Sequence, residues 1–140
     1  MGERLGMPDL ALDGAGCCQL VFDEQWIVTL LWETSTQRLS LHCPVCSSED
    51  VAGLSSKTLL AMLKGNFFGL GSGGITLSVA PDDRVHVHMA LSLSDVLGGN
   101  AYNALDMLLT RAEMWAERLN RAGGPVLGGD AMPAWALQRV

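Results

Sequence analysis

Residues 59–87, which read LLAMLKGNFFGLGSGGITLSVAPDDRVHV, decide the fold of the chain. They begin with an apolar run that predicts a helix ending near Gly65, and a glycine-rich segment follows it. From Ile75 apolar and polar residues alternate, which predicts a strand, and the Pro-Asp-Asp sequence at 81–83 predicts a turn into a second strand. The stretch therefore predicts a helix, a glycine connection and a β-hairpin, in that order.

Three glycines of this stretch, Gly69, Gly71 and Gly74, match the G-x-G-x-x-G fingerprint of dinucleotide-binding proteins. Such a site requires a strand, then the glycine turn, then a helix whose amides bind the pyrophosphate. Here the helix comes first and the strand last, so the order disfavours nucleotide binding. We expect the glycines to supply positive φ angles and a close backbone approach at the join, with Phe67 and Phe68 as buried anchors beside it.

The composition is that of one folded domain with an excess of apolar residues. Of the 140 residues, 49% are hydrophobic and 17% are charged, which excludes a disordered chain or a coiled coil. A small domain has limited interior, so part of this apolar surface is expected to contact a partner. The net charge of −6 disfavours nucleic-acid binding.

Neither a membrane span nor an export signal is visible in the sequence. No apolar run approaches the roughly 18 residues that a membrane span needs. The first ten residues, MGERLGMPDL, lack a basic region followed by an apolar stretch. We therefore expect a soluble cytoplasmic protein with reduced cysteines and with neither a nucleic-acid nor a membrane partner.

The order of the predicted elements favours an α+β fold. A short helix before Pro8 precedes three strands at 17–22, 25–33 and 37–45, and a long helix between Asn100 and Gly123 follows the hairpin. The order α-β-β-β-α-β-β-α groups the strands in runs, which is typical of an antiparallel sheet. Both faces of the second strand are largely apolar, so we expect it to be covered on both sides.

The helix that opens the 59–87 stretch is apolar around most of its circumference. Leu59, Leu60, Leu63 and Phe67 share one stripe, and Met62 widens it. Such a helix has to be covered on more than one side. One cover is expected to be the sheet of the same chain, and the other a second protomer.

The 59–87 stretch closely resembles the CesT or Tir-chaperone family of bacterial type III secretion. Members show a Leu-rich helix, an Asn-Phe pair, a glycine-rich stretch, an alternating strand and an Asp/Pro turn. The positions that match are Leu59, Leu60, Leu63, Asn66, Phe67, Gly69, Gly71, Gly73, Gly74, Leu77, Pro81 and Asp82. The resemblance covers about residues 5–121, and it departs at the N-terminus, where the full amphipathic first helix of the family is reduced to its end.

The resemblance implies a fold and a function. The fold is a twisted antiparallel sheet of about five strands with three helices, in a homodimer whose interface helix carries Leu59, Leu60, Met62, Leu63 and Phe67. Residues 1–124 would form the chaperone domain and 125–140 a flexible tail. The function is that of a chaperone, not an enzyme, that binds the N-terminal segment of one or more secreted effectors and keeps them secretion-competent in the bacterial cytoplasm. The secretion ATPase is a further candidate partner, and no cofactor is implied.

A set of apolar residues near the N-terminus and on the strands is predicted to line the effector-binding grooves. They are Leu5, Leu10, Leu20, Phe22, Trp26, Val28, Leu30, Val87 and Met89. The alternative for each of them is burial in the core of its own protomer.

The cysteines and histidines leave rival chemistries open. Cys43 and Cys46 form a C-x-x-C motif, which together with Cys17 and Cys18 suggests a small zinc-binding or redox protein. Adjacent cysteines on a strand point to opposite faces, however, and a polar loop follows the motif, so we expect inert thiols and no bound metal.

The His86-x-His88 pair is compatible with a metal pair, but its small and polar neighbours indicate a solvated strand face, and His42 shows no link to it. No arrangement of side chains stands out as catalytic. A dimeric interaction domain with a regulatory partner is the remaining alternative.

Overall fold

Five strands and three helices make up the part of the chain that a computed structural model describes, which is residues 11–45, 53–69 and 74–122. The strands are β1 (Cys17–Phe22), β2 (Trp26–Glu33), β3 (Arg38–Pro44), β4 (Thr76–Val79) and β5 (Val85–Ser92), and the helices are α1 (Ser56–Gly65), α2 (Leu93–Leu97) and α3 (Ala101–Ala122). A 3-10 turn at Phe67–Gly69 follows α1.

The strands form one antiparallel sheet in the order β1-β2-β3-β5-β4. The predicted α+β class and the five-stranded antiparallel sheet are therefore confirmed. Each of the first three strands begins and ends within one residue of its predicted bounds. The predicted helix before Pro8 and the predicted tail 125–140 lie outside the described residues.

Helix α2 is an addition to the predicted elements. It begins with a capping box, in which Ser92 Oγ accepts a hydrogen bond from Asp95 N at 3.2 Å and Asp95 Oδ2 accepts one from Ser92 N at 3.2 Å. These hydrogen bonds satisfy amide groups at the start of the helix that have no partner within it. The Ser-x-x-Asp spacing at 92–95 was the sequence signal for this helix.

The core lies between one face of the sheet and α3. Strand register brings Leu30 of β2 beside Leu41 of β3, and Cys43 of β3 beside Val87 of β5, all on this core face. Helix α3 covers it with apolar residues that include Leu108 and Trp115, which are fully buried. Complete burial of a leucine contributes about 1.5–3 kcal/mol, so these layers provide much of the stability.

The opposite face of the sheet, called the open face below, carries the alternate residues of each strand. Ile27 on this face is 44% exposed, while Trp26 and Val28 beside it are buried in the core. The expectation that β2 is covered on both sides is therefore wrong for the described residues. Strand β2 has a neighbouring strand at each of its two edges. Helix α3 and the buried Met62 of α1, however, both lie on the core face of the sheet.

Asn66 joins α1 to the sheet through its side-chain amide. Its Nδ2 donates to Leu77 O at 2.8 Å and its Oδ1 accepts from Leu77 N at 2.8 Å. These hydrogen bonds satisfy one residue of the β4 edge, which would otherwise present unpaired backbone groups. The predicted role of Phe67 and Phe68 as buried anchors is wrong, because both side chains are exposed.

The glycines of the join include two that have the predicted conformation. Gly69 has φ +68° and Gly74 has φ +93°, a region that glycine enters without steric cost. Gly74 N donates to Gly69 O at 3.0 Å, and a Cβ on Gly69 would lie 3.3 Å from the Gly74 Cα. Gly69 and Gly74 therefore have the positive φ angles and the close backbone approach that the sequence predicts, while Gly71 lies outside the described residues.

Replacing Asn66 should test how much this join contributes to stability. Asn66→Ala leaves the Leu77 amide and carbonyl without partners, so we expect a loss of about 1–3 kcal/mol in the free energy of unfolding. Urea denaturation measures it. Asn103→Ala, at an exposed position of α3, is the matched control and should change stability by no more than about 0.5 kcal/mol. Equal effects of the two substitutions would contradict the assigned role of Asn66.

Candidate functional site

The outer face of α1 and the turn after it carry several large apolar side chains that point away from the core. The helix begins after an N-cap at Ser55, whose Oγ accepts a hydrogen bond from Thr58 N at 3.1 Å. Met62 then points into the core, while Leu60 and Leu63 point outward and Leu63 is 69% exposed. We call Leu60, Leu63, Phe67 and Phe68 the outer α1 patch.

The predicted dimer-interface residues thus divide into two groups. Met62 is buried and Leu59 packs against the core, so these two hold α1 on its own sheet. Leu60, Leu63 and Phe67 are exposed in the protomer and have the spacing of one helix face. Only the second group is available to a partner.

The two phenylalanines at the end of α1 extend this patch. Their rings meet edge to face, with centroids 4.8 Å apart. Phe68 is 86% exposed and has φ 50°, a left-handed conformation that is costly for a bulky residue. An apolar side chain held outward against a backbone cost is typical of a contact surface.

The predicted effector-binding residues of the strands all lie on the core face of the sheet. Val28, Leu30 and Val87 are at most 1% exposed and act as core residues in this conformation. Trp26 is also buried, and the half-buried members are Leu20, Phe22 and Met89. Leu5 and Leu10 lie outside the described residues. Contact of this set with an effector stays a prediction.

The two edges of the sheet differ in what covers them. Trp32 N donates to Gly16 O at 2.8 Å, so even-numbered residues of β1 face β2 and the odd-numbered ones face outward. At Cys17 the outward amide and carbonyl are both bonded to Asp13. Within the described residues, no backbone group pairs with the outward amides of Gln19 and Val21, whereas Asn66 occupies the β4 edge.

The cysteines do not form a site in the described residues. Cys17 lies opposite Leu31 and Cys18 opposite Leu30, which places them on opposite faces of β1, as predicted. Cys43 is fully buried, and burial raises the pKa of its thiol to about 11. Cys46 lies outside the described residues. Residues 11–45, 53–69 and 74–122 hold no group of three or more His, Cys, Asp or Glu side chains that could bind a metal ion.

The histidines are linked in a way that the sequence analysis missed. His42 of β3 is the register partner of His88 of β5, and His86 lies on the same open face. The expectation that His42 has no link to the pair is therefore wrong. The signal was non-local, because it required knowing that β3 and β5 are neighbours in the sheet.

Comparison with known proteins identifies the family. The sequence model of the Tir chaperone protein (CesT) family matches residues 1–116. This match spans most of the chain, so the protein belongs to the Tir chaperone protein (CesT) family, which is a family of chaperones and not of enzymes. The resemblance that the sequence suggested is confirmed. A search of curated proteins found no significant match.

Solved structures share the fold. The chain is 26% identical to one in the crystal structure of the ExsC-ExsE complex, with a TM-score of 0.66 over 84% of this chain and 86% of that one. It is 22% identical to the Yersinia pestis type III secretion chaperone SycH, solved in complex with a stable fragment of YscM2, with a TM-score of 0.60 over 84% of this chain and 92% of that one. It is 15% identical to a chain in the heterodimeric ExoU-SpcU complex from the type III secretion system of Pseudomonas aeruginosa, with a TM-score of 0.61 over 87% of this chain and 96% of that one.

None of the helices among the described residues is both long and apolar enough to cross a bilayer.

The raised pKa of Cys43 predicts a slow reaction with alkylating agents. The thiolate is the reactive form, and at about pH 8 a buried thiol with a pKa of about 11 supplies little of it. We expect iodoacetamide to spare Cys43 in the native protein and to modify it in urea, as measured by peptide mass spectrometry. The half-buried Cys17 on the open face is the internal control. Native labelling of Cys43 at the rate seen in urea would contradict its burial.

Proposed function

We propose that the protein is a type III secretion chaperone that acts as a homodimer in the bacterial cytoplasm. It binds the N-terminal segment of a secreted effector and keeps that effector stable and secretion-competent. Family membership supports the chaperone class. A further similar structure is that of the HopA1-SchA chaperone–effector complex. The chain is 18% identical to one in that complex, with a TM-score of 0.61 over 86% of this chain and 88% of that one. We propose no enzymatic step for this chain.

The observation that carries the homodimer is the outer α1 patch. Leu63, Phe67 and Phe68 are each more than 60% exposed, although they are among the most apolar residues of the chain. A two-fold axis beside α1 would place the same patch of a second copy against them, so that each copy covers the other. The net charge of −6 per chain opposes association, which makes apolar burial the driving term.

The effector segment has a separate surface in this proposal. An extended peptide can add a strand to a sheet edge, where backbone hydrogen bonds provide affinity and alternate side chains provide specificity. A strand added beside β1 would meet the outward amides of Gln19 and Val21. Its side chains would lie beside Leu20 and Phe22 on the core side and beside Val21 on the open side.

The buried members of the predicted effector set have an indirect role in this proposal. Val28 and Leu30 support β1 from the neighbouring strand, and Val87 supports the centre of the sheet. Ordering a disordered effector segment costs several kcal/mol, so a rigid edge that needs no rearrangement favours binding.

A charge in the outer α1 patch should abolish the dimer. Leu63→Glu would place a carboxylate in the apolar interface, where burying it unpaired is costly. Light scattering should give about twice 14.9 kDa for the wild-type protein and 14.9 kDa for the variant. Leu97→Glu is the matched control on α2, where the leucine is 54% exposed, and it should remain dimeric. A wild-type protein that stays monomeric at high concentration would contradict the proposal.

A proline at the β1 edge should weaken effector binding. Val21→Pro removes one outward amide without removing a β1–β2 hydrogen bond, so we expect a roughly tenfold weaker affinity for the effector segment. Val79→Pro removes an amide at the opposite edge of the sheet and is the matched control. Circular dichroism verifies that both variants fold, and calorimetry measures the affinity.

The effector for this titration is obtained by affinity capture from the native host. The proposal requires that the captured protein is secreted and that deletion of its N-terminal segment prevents capture. A regulatory protein that is never secreted would instead favour the general interaction domain. Equal affinities of the two proline variants would assign the binding site to another surface.

A further inference from the structure

All three histidines of the chain meet on the open face of the sheet. His42 lies directly across from His88, and its ring centroid is 5.5 Å from that of His86, with the two rings tilted by 43°. We call these three residues the histidine cluster.

The surroundings of the cluster contain little to neutralise positive charge. The strand neighbours that face it are Thr29 of β2, opposite His42, and Thr76 and Ser78 of β4, opposite His88 and His86. Among the described residues, the nearest carboxylate is that of Asp82 in the β4–β5 turn, whose Oδ2 lies 3.5 Å from the buried Nε2 of His86.

Other charged groups lie in the same turn and at the far end of the sheet. Asp83 and Arg84 follow Asp82 in the turn; Asp83 is exposed, and the backbone N–H of Arg84 donates to Asp82 Oδ1 at 3.1 Å. Glu33 and Arg38 pair with each other in register at the far end of β2 and β3. Within residues 11–45, 53–69 and 74–122, one carboxylate, that of Asp82, therefore lies within 4 Å of an imidazole of the cluster.

Protonation is the chemistry that this arrangement supports. A metal ion needs ligands that converge on one point, and the described residues hold no such group of three. Imidazole gains a proton between about pH 5 and 8, so the charge of the cluster can change under mild conditions.

We propose that the histidine cluster makes the fold of this protein sensitive to acid. The three imidazoles pack between β3, β4 and β5. Acid adds positive charge to the cluster, and since Asp82 can neutralise one imidazole, charges on the others repel each other across the β3–β5 pair.

The lowered pKa values of the folded chain determine the direction in which its stability changes with pH. Burial lowers the pKa of His42 below its ordinary value of 6.5, and His86 and His88 lower it further, while Asp82 opposes them. Burial and His86 also lower the pKa of His88. Because the folded state then binds fewer protons than the unfolded state, stability is complete above pH 6.5 and decreases as the pH falls through the lowered pKa values.

Urea denaturation of two variants tests the proposal without any effector. When the pH is lowered from about 7.5 to about 5.5, the equilibrium constant for unfolding of the wild-type protein should rise. The rise should be smaller for His42→Gln, by up to about fivefold for each repelling pair of charges that the substitution removes. Asp82→Asn should have the opposite effect and increase the sensitivity to acid, because the amide still accepts from Arg84 N but carries no charge. An identical pH dependence of the wild-type protein and both variants would overturn the proposal.

Proton NMR gives a second, direct measurement, and its first part, the titration of the wild-type protein, does not depend on the folding of a variant. The chain has three histidines, so their ring resonances can be followed individually. We expect His42 and His88 to titrate with midpoints below 6.5, and His86→Gln to raise both midpoints. Midpoints at or above 6.5 would overturn the proposal, whether or not the protein is a secretion chaperone.

Discussion

A five-stranded sheet has two faces, and in the described residues its helices cover one of them. Helix α3 and Met62 of α1 bury the core face, where Leu30, Leu41 and Val87 are almost completely shielded from water. Other apolar side chains have no cover within the described protomer. Leu63 of α1 and Phe67 of the turn after it point away from the core, and Ile27 and Val21 lie on the open face. The surfaces for partners follow from this one-sided arrangement of helices.

The two edges of the sheet add a second asymmetry. Asn66 gives its side-chain amide to the backbone of Leu77 and so protects the β4 edge beside α1. At the β1 edge the protection by Asp13 ends at Cys17, and the outward amides of Gln19 and Val21 follow. Self-association at α1 and addition of an extended segment at β1 would therefore occur at opposite ends of one sheet, and neither would block the other.

Local patterns predicted the fold well, whereas contacts distant in sequence were not predictable. Residue types that favour strands, with polar breaks between them, placed β1 at residues 17–22, and the helix–glycine–strand order disfavoured a nucleotide site. Apolarity alone could not show that Phe67 and Phe68 point outward, since a residue that packs on its own core and one that awaits a partner look alike in a sequence. The pairing of His42 with His88 depends on strand order, which no local pattern contains.

The central claim is that a second copy of the chain covers the outer α1 patch. Hydroxyl-radical footprinting of Leu63 and Phe67 over a series of protein concentrations tests it most directly, because both side chains are more than 60% exposed in the protomer. If a second copy covers the patch, both side chains are protected at high concentration and become reactive on dilution. Reactivity that is high and equal at every concentration would contradict it.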